Sequence, residues 1–275
     1  MSSPIKKLED TAGHLQLQIE GAIATLTICH SARRNAMTRT MWRQLQGIGE
    51  HLPAQVRCLI VRGQGDHFCA GGDISEYPSF RFSPETLAHF HEEEVAPGLD
   101  ALLALEIPII SMIAGHCMGG GLEIACCADI RIASSSATFG APIAKLGMPM
   151  APRELELVLR VAGEATVREM LLEASVLPAA EMKARGFLQR VVSGDDLASQ
   201  VNDAAARICA LSPQAARLNK QAIRHIFKPN RPIAGIESSQ IAMKLIVNKE
   251  AFDYAASAEH VEGISAFLQK RPPVF

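Results

Sequence analysis

The sequence has no apolar run approaching the roughly 20 residues that cross a bilayer. Its first stretch, Met1 to Gly13, lacks the apolar core of a secretion signal and reads as a loose tail. A soluble, cytoplasmic protein with no membrane partner is expected. A basic stripe is also missing: 27 lysines and arginines are dispersed among 29 aspartates and glutamates, for a net charge of −2. That balance leaves no nucleic-acid footprint. Arg33-Arg34 is too short a run to count as a patch, although a local site for a phosphorylated ligand stays open. None of the seven cysteines has C-x-x-C spacing, and Cys126-Cys127 are adjacent within an apolar stretch. This usage fits a reducing compartment, with most thiols serving as small buried hydrophobes. His89-Phe90-His91 has no matching Cys/His cluster, so it reads as a helix surface and not as a metal site. Low-complexity segments are absent.

What is present is the balance of a globular protein: 48% hydrophobic and 20% charged residues in a chain of 275, enough for one large domain or one with a small appendage. Strand-like runs recur at Ile23–Cys29, Cys58–Val61, Ile107–Ile113, Ile130–Ser134 and Phe187–Val192. Helix-like runs lie between them, for example Thr40–His51 and Leu87–Leu105. The alternation predicts α/β architecture with parallel strands. After Asp195 the strand signals fade, and Leu197–Leu211, Pro213–Phe227 and Gln240–Gln269 read as helices.

The most informative segment is Gly115-His116-Cys117-Met118-Gly119-Gly120-Gly121-Leu122-Glu123. It joins the strand-like run ending at Ile113 to a helix-like run, Leu122–Ala128. Glycines let the chain turn tightly and leave N–H groups bare, and the first turn of a helix holds unsatisfied N–H groups with a partial positive charge. Glu123 follows Gly120 by about one helical turn, which brings a carboxylate near those amides. Close packing of a strand, turn and helix would also explain a glycine triplet. A second glycine turn shifts the balance. Phe68-Cys69-Ala70-Gly71-Gly72-Asp73 also follows a strand-like run, Cys58-Leu59-Ile60-Val61. Two such turns could aim two backbone N–H groups at one substrate oxygen, the logic of an oxyanion hole.

The segments FCAGGDI (68–74) and GHCMGGGLEIACCADIRIAS (115–134) resemble the crotonase superfamily, the enoyl-CoA hydratase/isomerase family. The resemblance extends to Arg33-Arg34-Asn35-Ala36-Met37, to Thr138–Pro142 with Lys145-Leu146-Gly147, to Ala180–Leu188, and to Glu262–Arg271. It implies a ββα superhelix, or spiral, over residues 1–195 that binds acyl-CoA. Residues 196–275 would form a helical region that trimerises, giving a homotrimer or a dimer of trimers. It further implies an acyl-CoA thioester substrate whose developing enolate oxygen is held by the amides of Gly72 and Gly120. Glu123 would be the catalytic acid/base, against the alternative of an exposed helix-start glutamate. Arg33, Ala70, Asp73 and Ile74 match the coenzyme A contacts. Coenzyme A enters as part of the substrate, and no other cofactor or metal is expected.

The chain departs from the hydratases at one position. Their second glutamate falls just after the proline of Phe139-Gly140-Ala141-Pro142, where this chain has Ile143, and the next acid is Glu154. A hydratase or isomerase (a lyase or isomerase in reaction class) is expected, with the reaction itself left open. Decarboxylation or hydrolysis of an acyl-CoA, or a catalytically weak acyl-CoA binder, are the alternatives. Glu92-Glu93-Glu94 reads as a solvated helix face. Arg153 could meet a substrate carboxylate or cap a turn, His116 could be a satisfied core histidine, and Phe267, which the resemblance matches to a position reaching a neighbouring subunit's coenzyme A, could equally be a core residue of the last helix.

Overall fold

The computed structural model describes residues 13–226 and 249–275. Nearly all of the predicted tail Met1–Gly13 therefore lies outside the described residues, as do Phe227 and the 240–248 part of the helix predicted over Gln240–Gln269. Nine strands are described: β1 (His14–Glu20), β2 (Ile23–Cys29), β3 (Cys58–Gly63), β4 (Ile109–Ile113), β5 (His116–Met118), β6 (Ile130–Ser134), β7 (Thr138–Gly140), β8 (Val176–Pro178) and β9 (Arg190–Val192). The described helices are α1 (Arg39–Gln46), α2 (Pro84–His89), α3 (Ala96–Ala104), α4 (Gly120–Cys126), α5 (Pro152–Ala162), α6 (Glu164–Arg168), α7 (Ala179–Ala184), α8 (Leu197–Cys209), α9 (Pro213–Ile226) and α10 (Ala258–Leu268).

Six strands form one sheet in the order β1-β2-β3-β4-β6-β9. Only the β1–β2 hairpin is antiparallel. Parallel sheets are covered on both faces, which is why β3 and β4 are apolar without alternation. On one face Leu59, Val61, Ile109 and Ile113 pack into the main core with Trp42, Leu99 and Leu122 from α1, α3 and α4. On the other, Cys58, Ile60, Ile110 and Ile132 pack against Leu197, Val201, Ala204 and Ala205 of α8. The first helix of the C-terminal region thus serves as the outer cover of the sheet.

Each crossover detours through a second, smaller layer. β4 leads into β5 and β6 into β7, and these pair in a three-stranded sheet ordered β5-β7-β8. The detour after β3 joins the same layer by a single bridge, Cys69 to Cys117, and the detour after β2 by another, Met37 to Gly72. Successive detours stack side by side, which is the ββα spiral expected from the resemblance. Three predicted helices are interrupted: Thr40–His51 forms α1 and then a 3-10 turn over Ile48–His51, and the described part of Gln240–Gln269 forms a 3-10 turn over Lys249–Ala256 before α10. Within Leu87–Leu105 the chain forms α2, then a π-helical turn over Phe90–Val95, then α3. The strand predicted from Phe187 starts at Arg190, because Phe187 and Leu188 plug the core instead.

Candidate active site

The small layer brings the two glycine turns together. Cys69 N–H donates to the His116 carbonyl, and Met118 N–H donates to the Cys69 carbonyl, both at 2.9 Å. Two residues beyond each of these anchors the chain makes its glycine turn. On the first turn, Met37 N–H donates to the Gly71 carbonyl at 2.7 Å and Asp73 N–H donates to the Met37 carbonyl at 2.8 Å. That pattern skips the Gly72 amide. Gly120 opens α4, where an amide has no intrahelical acceptor. Neither amide has an acceptor among the described residues, and both glycines line one cavity of about 220 Å³. Gly119 holds φ +46° and ψ −115°, a conformation that needs glycine. Gly121 is required by proximity: a Cβ there would lie 2.5 Å from the Cys69 carbonyl oxygen.

Glu123 projects into the same cavity from the first turn of α4 and is 9% exposed. Burial raises its pKa to about 8, reinforced by the nearby Glu154 charge and opposed by Arg81. The position of the absent second glutamate, Ile143, is an apolar part of the wall, along with Trp42, Val95 and Met150. A second carboxylate nevertheless reaches the cavity from the first turn of α5. Glu154 is 2% exposed and accepts a hydrogen bond from His91 Nδ1 at 2.9 Å. Both residues line the cavity. His91 is therefore not the surface histidine that its sequence context suggests. The π-helical turn that begins at Phe90 carries it inward, while His89 stays on the solvent side.

The remaining candidates divide. Ala70 and Ile74 line the cavity, with Ile74 at its mouth and 54% exposed. Ala70 N–H donates to the Arg34 carbonyl at 3.0 Å, so the turn containing Arg33 lies beside the first glycine turn. Arg33 itself is exposed and does not line the cavity. Asp73 does not line it either. Its carboxylate accepts from Ser75 N–H at 3.0 Å and Ser75 Oγ at 2.7 Å, capping the 3-10 turn Ile74–Ser79. Burial works against that charge, yet the Ser75 bonds and the charges of His30 and Arg33 hold its pKa below the ordinary value. Glu94 is not solvated as expected: it is buried and clamped by Arg39. Arg153 pairs with Glu92 and Asp100 outside the cavity. His116 stacks on His67 with ring centroids 4.6 Å apart and bonds Thr138 Oγ1, a half-buried histidine with its partners met. Phe267 is 81% exposed on α10, which excludes a core role within one chain.

Sequence comparison matches residues 18–275 to the family described as enoyl-CoA hydratase/isomerase. The chain belongs to that family. It is 30% identical over 259 residues to a short-chain-enoyl-CoA hydratase of Clostridium acetobutylicum, covering 93% of this chain and 94% of that protein. The fold also superposes on a crystal structure from Magnetospirillum magneticum described as an enoyl-CoA hydratase/carnithine racemase. That pair gives a TM-score of 0.85 and 37% identity over 95% of this chain and 94% of the other. Membership accounts for the spiral and makes this an acyl-CoA-processing enzyme of the family.

Sequence reasoning missed three cavity residues: Glu154, His91 and Arg81. His91 and Glu154 are 63 positions apart and meet only through tertiary structure. Glu154 did carry one usable signal, being the first acid after the vacant glutamate position.

Proposed function

We propose that this enzyme binds the thioester of an acyl-CoA in the cavity and moves a proton at the substrate α-carbon through an enolate. The observation that supports this most is the convergence of two unbonded amides, those of Gly72 and Gly120, with the buried acid Glu123. The amides would hold the thioester carbonyl oxygen, where negative charge develops. Losing one such donor typically costs about 3 kcal/mol. With its pKa near 8, Glu123 is protonated at neutral pH and acts first as an acid. The Glu154–His91 pair supplies the base. In hydration, water oxygen bonds to Cβ, its proton passes to Glu154–His91, and Glu123 delivers a proton to Cα as the enolate collapses. Migration of a double bond uses the same groups, one proton leaving Cγ and one arriving at Cα.

Coenzyme A would lie along the turn at Arg33 and the backbone of Ala70 and Ile74. Asp73 would shape that groove as a cap rather than touch the ligand. The same proposal places the enzyme in the cytoplasm, supported by seven cysteines with no C-x-x-C spacing, the usage of a reducing compartment. It also assembles the chain as a homotrimer or a dimer of trimers, supported by Val261, Ile264, Phe267 and Leu268, all more than half exposed on α10.

Exchange at the α-carbon tests the chemistry whichever member of the reaction class the enzyme catalyses. Butyryl-CoA incubated with the enzyme in D2O should gain deuterium at Cα, read by mass spectrometry. Glu123→Gln should slow that exchange by about 10²–10⁴-fold. A thioester that is bound but never exchanged would make the protein a binder, and no thioester binding at all would refute the assignment.

A further inference from the structure

Arg81 stands between the inner cavity and a larger outer one of about 950 Å³, lining both. Its guanidinium carbon lies 4.1 Å from the centre of the Tyr77 ring, 5.7 Å from Phe90 and 5.9 Å from Phe80. One nitrogen, Nη1, reaches the Met148 sulfur at 3.1 Å, a weak acceptor. Nε is buried with no partner. Among the described residues no carboxylate pairs with this cation.

The acids nearby are committed elsewhere. Glu154 accepts from His91, and Glu92, which lines the outer cavity, is taken by Arg153. Glu123 feels the Arg81 charge, but at neutral pH it holds its proton and cannot neutralise a guanidinium. By contrast Arg39, behind the same aromatic cluster, is closed on Glu94. A guanidinium offers five N–H donors in a planar fork that matches a carboxylate. The rings of Tyr77, Phe80 and Phe90 cover part of this cation and bring no opposing charge to it.

We propose that Arg81 receives a free carboxylate on the acyl group, so that the preferred substrates are acyl-CoA thioesters of dicarboxylic acids. This deepens the thioester assignment of the cavity and rests on it. The substrate carboxylate sits at the junction of the two cavities and supplies the counter-ion that the described residues do not. The acyl chain then runs from the glycine amides past Glu123 to Arg81.

The test compares glutaconyl-CoA with crotonyl-CoA, which differ by one terminal carboxylate, in wild type, Arg81→Met and Arg81→Lys. Wild type should favour glutaconyl-CoA in kcat/KM, and Arg81→Met should lower that preference by about 10–100-fold, chiefly through KM. Arg81→Lys should restore part of it. Equal preference in wild type and Arg81→Met, with both thioesters turned over, overturns the proposal. Failure of the wild type to bind either thioester refutes instead the thioester assignment beneath it. Should Arg81→Met not fold, the wild type alone decides: glutaryl-CoA must bind at least about tenfold more tightly than butyryl-CoA at low salt, and equal affinity overturns the proposal.

Discussion

Replacing Glu123 by glutamine should stabilise the fold at neutral pH while removing proton transfer. Burial beside Glu154 lifts the Glu123 pKa from 4.5 to about 8. Below pH 4.5 the folded and unfolded chains both hold the proton, and the group makes no difference to stability. Between 4.5 and 8 the folded chain keeps a proton that the unfolded chain releases. Stability then falls as pH rises, by about 1.4 kcal/mol per unit. The loss is under about 1 kcal/mol at pH 5, about 3 kcal/mol at pH 7, and levels off near about 5 kcal/mol above pH 8. Glutamine has the same shape and no charge, so it escapes this loss; the desolvation of its amide is the same at every pH. Urea denaturation of both proteins at pH 5, 7 and 8, at one protein concentration, measures the difference. The advantage of Glu123→Gln should grow by about 2–3 kcal/mol between pH 5 and 7. A difference that stays constant from pH 5 to 8 would refute the reasoning, since Glu123 would then titrate as an ordinary exposed carboxylate.

Glu154→Gln should reduce turnover by about 10²–10⁴-fold while coenzyme A affinity persists; unchanged kcat would remove Glu154 from the chemistry. Gly121→Ala forces a Cβ to 2.5 Å from the Cys69 oxygen and 2.8 Å from its Cβ. Such overpacking should lower stability by about 1–3 kcal/mol, seen as a drop of several degrees in a thermal melt. An unaltered melting temperature would contradict the close approach of α4 to the Cys69 ladder. Light scattering should give three or six times the chain mass of 29.6 kDa, and a monomer at micromolar concentration would count against the proposed assembly.

The parts legible in the sequence are those written in local pattern. β2 and β6 coincide with the runs Ile23–Cys29 and Ile130–Ser134, because both are rich in β-branched and apolar residues. β1 is harder to see: Leu15, Leu17 and Ile19 alternate with glutamines, and the strand is an edge left half-covered. β5, β7 and β8 have three residues each, too few to show any period. Both glycine turns and Glu123 are legible, since glycine is needed wherever the backbone is tight and Glu123 follows one turn later. The pairing of Cys69 with Cys117 that sets the turns side by side is not, because registry between distant segments is a tertiary outcome. The same holds for Glu94 with Arg39 and for Glu154 with His91. In both cases a π-helical turn shifts the helix phase, and side chains assigned to the surface by simple periodicity go inside.

The bridge between Cys69 and Cys117 has a consequence for how this protein can change over generations. The two amides facing the cavity belong to the main chain, and neighbouring strands fix their spacing. Exchanging a side chain around the cavity leaves both amides in place, so the carbonyl anchor proposed for them survives while the groups around it drift. An isoleucine can stand at position 143 and an acid can reach the cavity from α5 without rebuilding that anchor. New chemistry on such a scaffold is reached by single substitutions, each starting from a chain whose main-chain amides are unmoved.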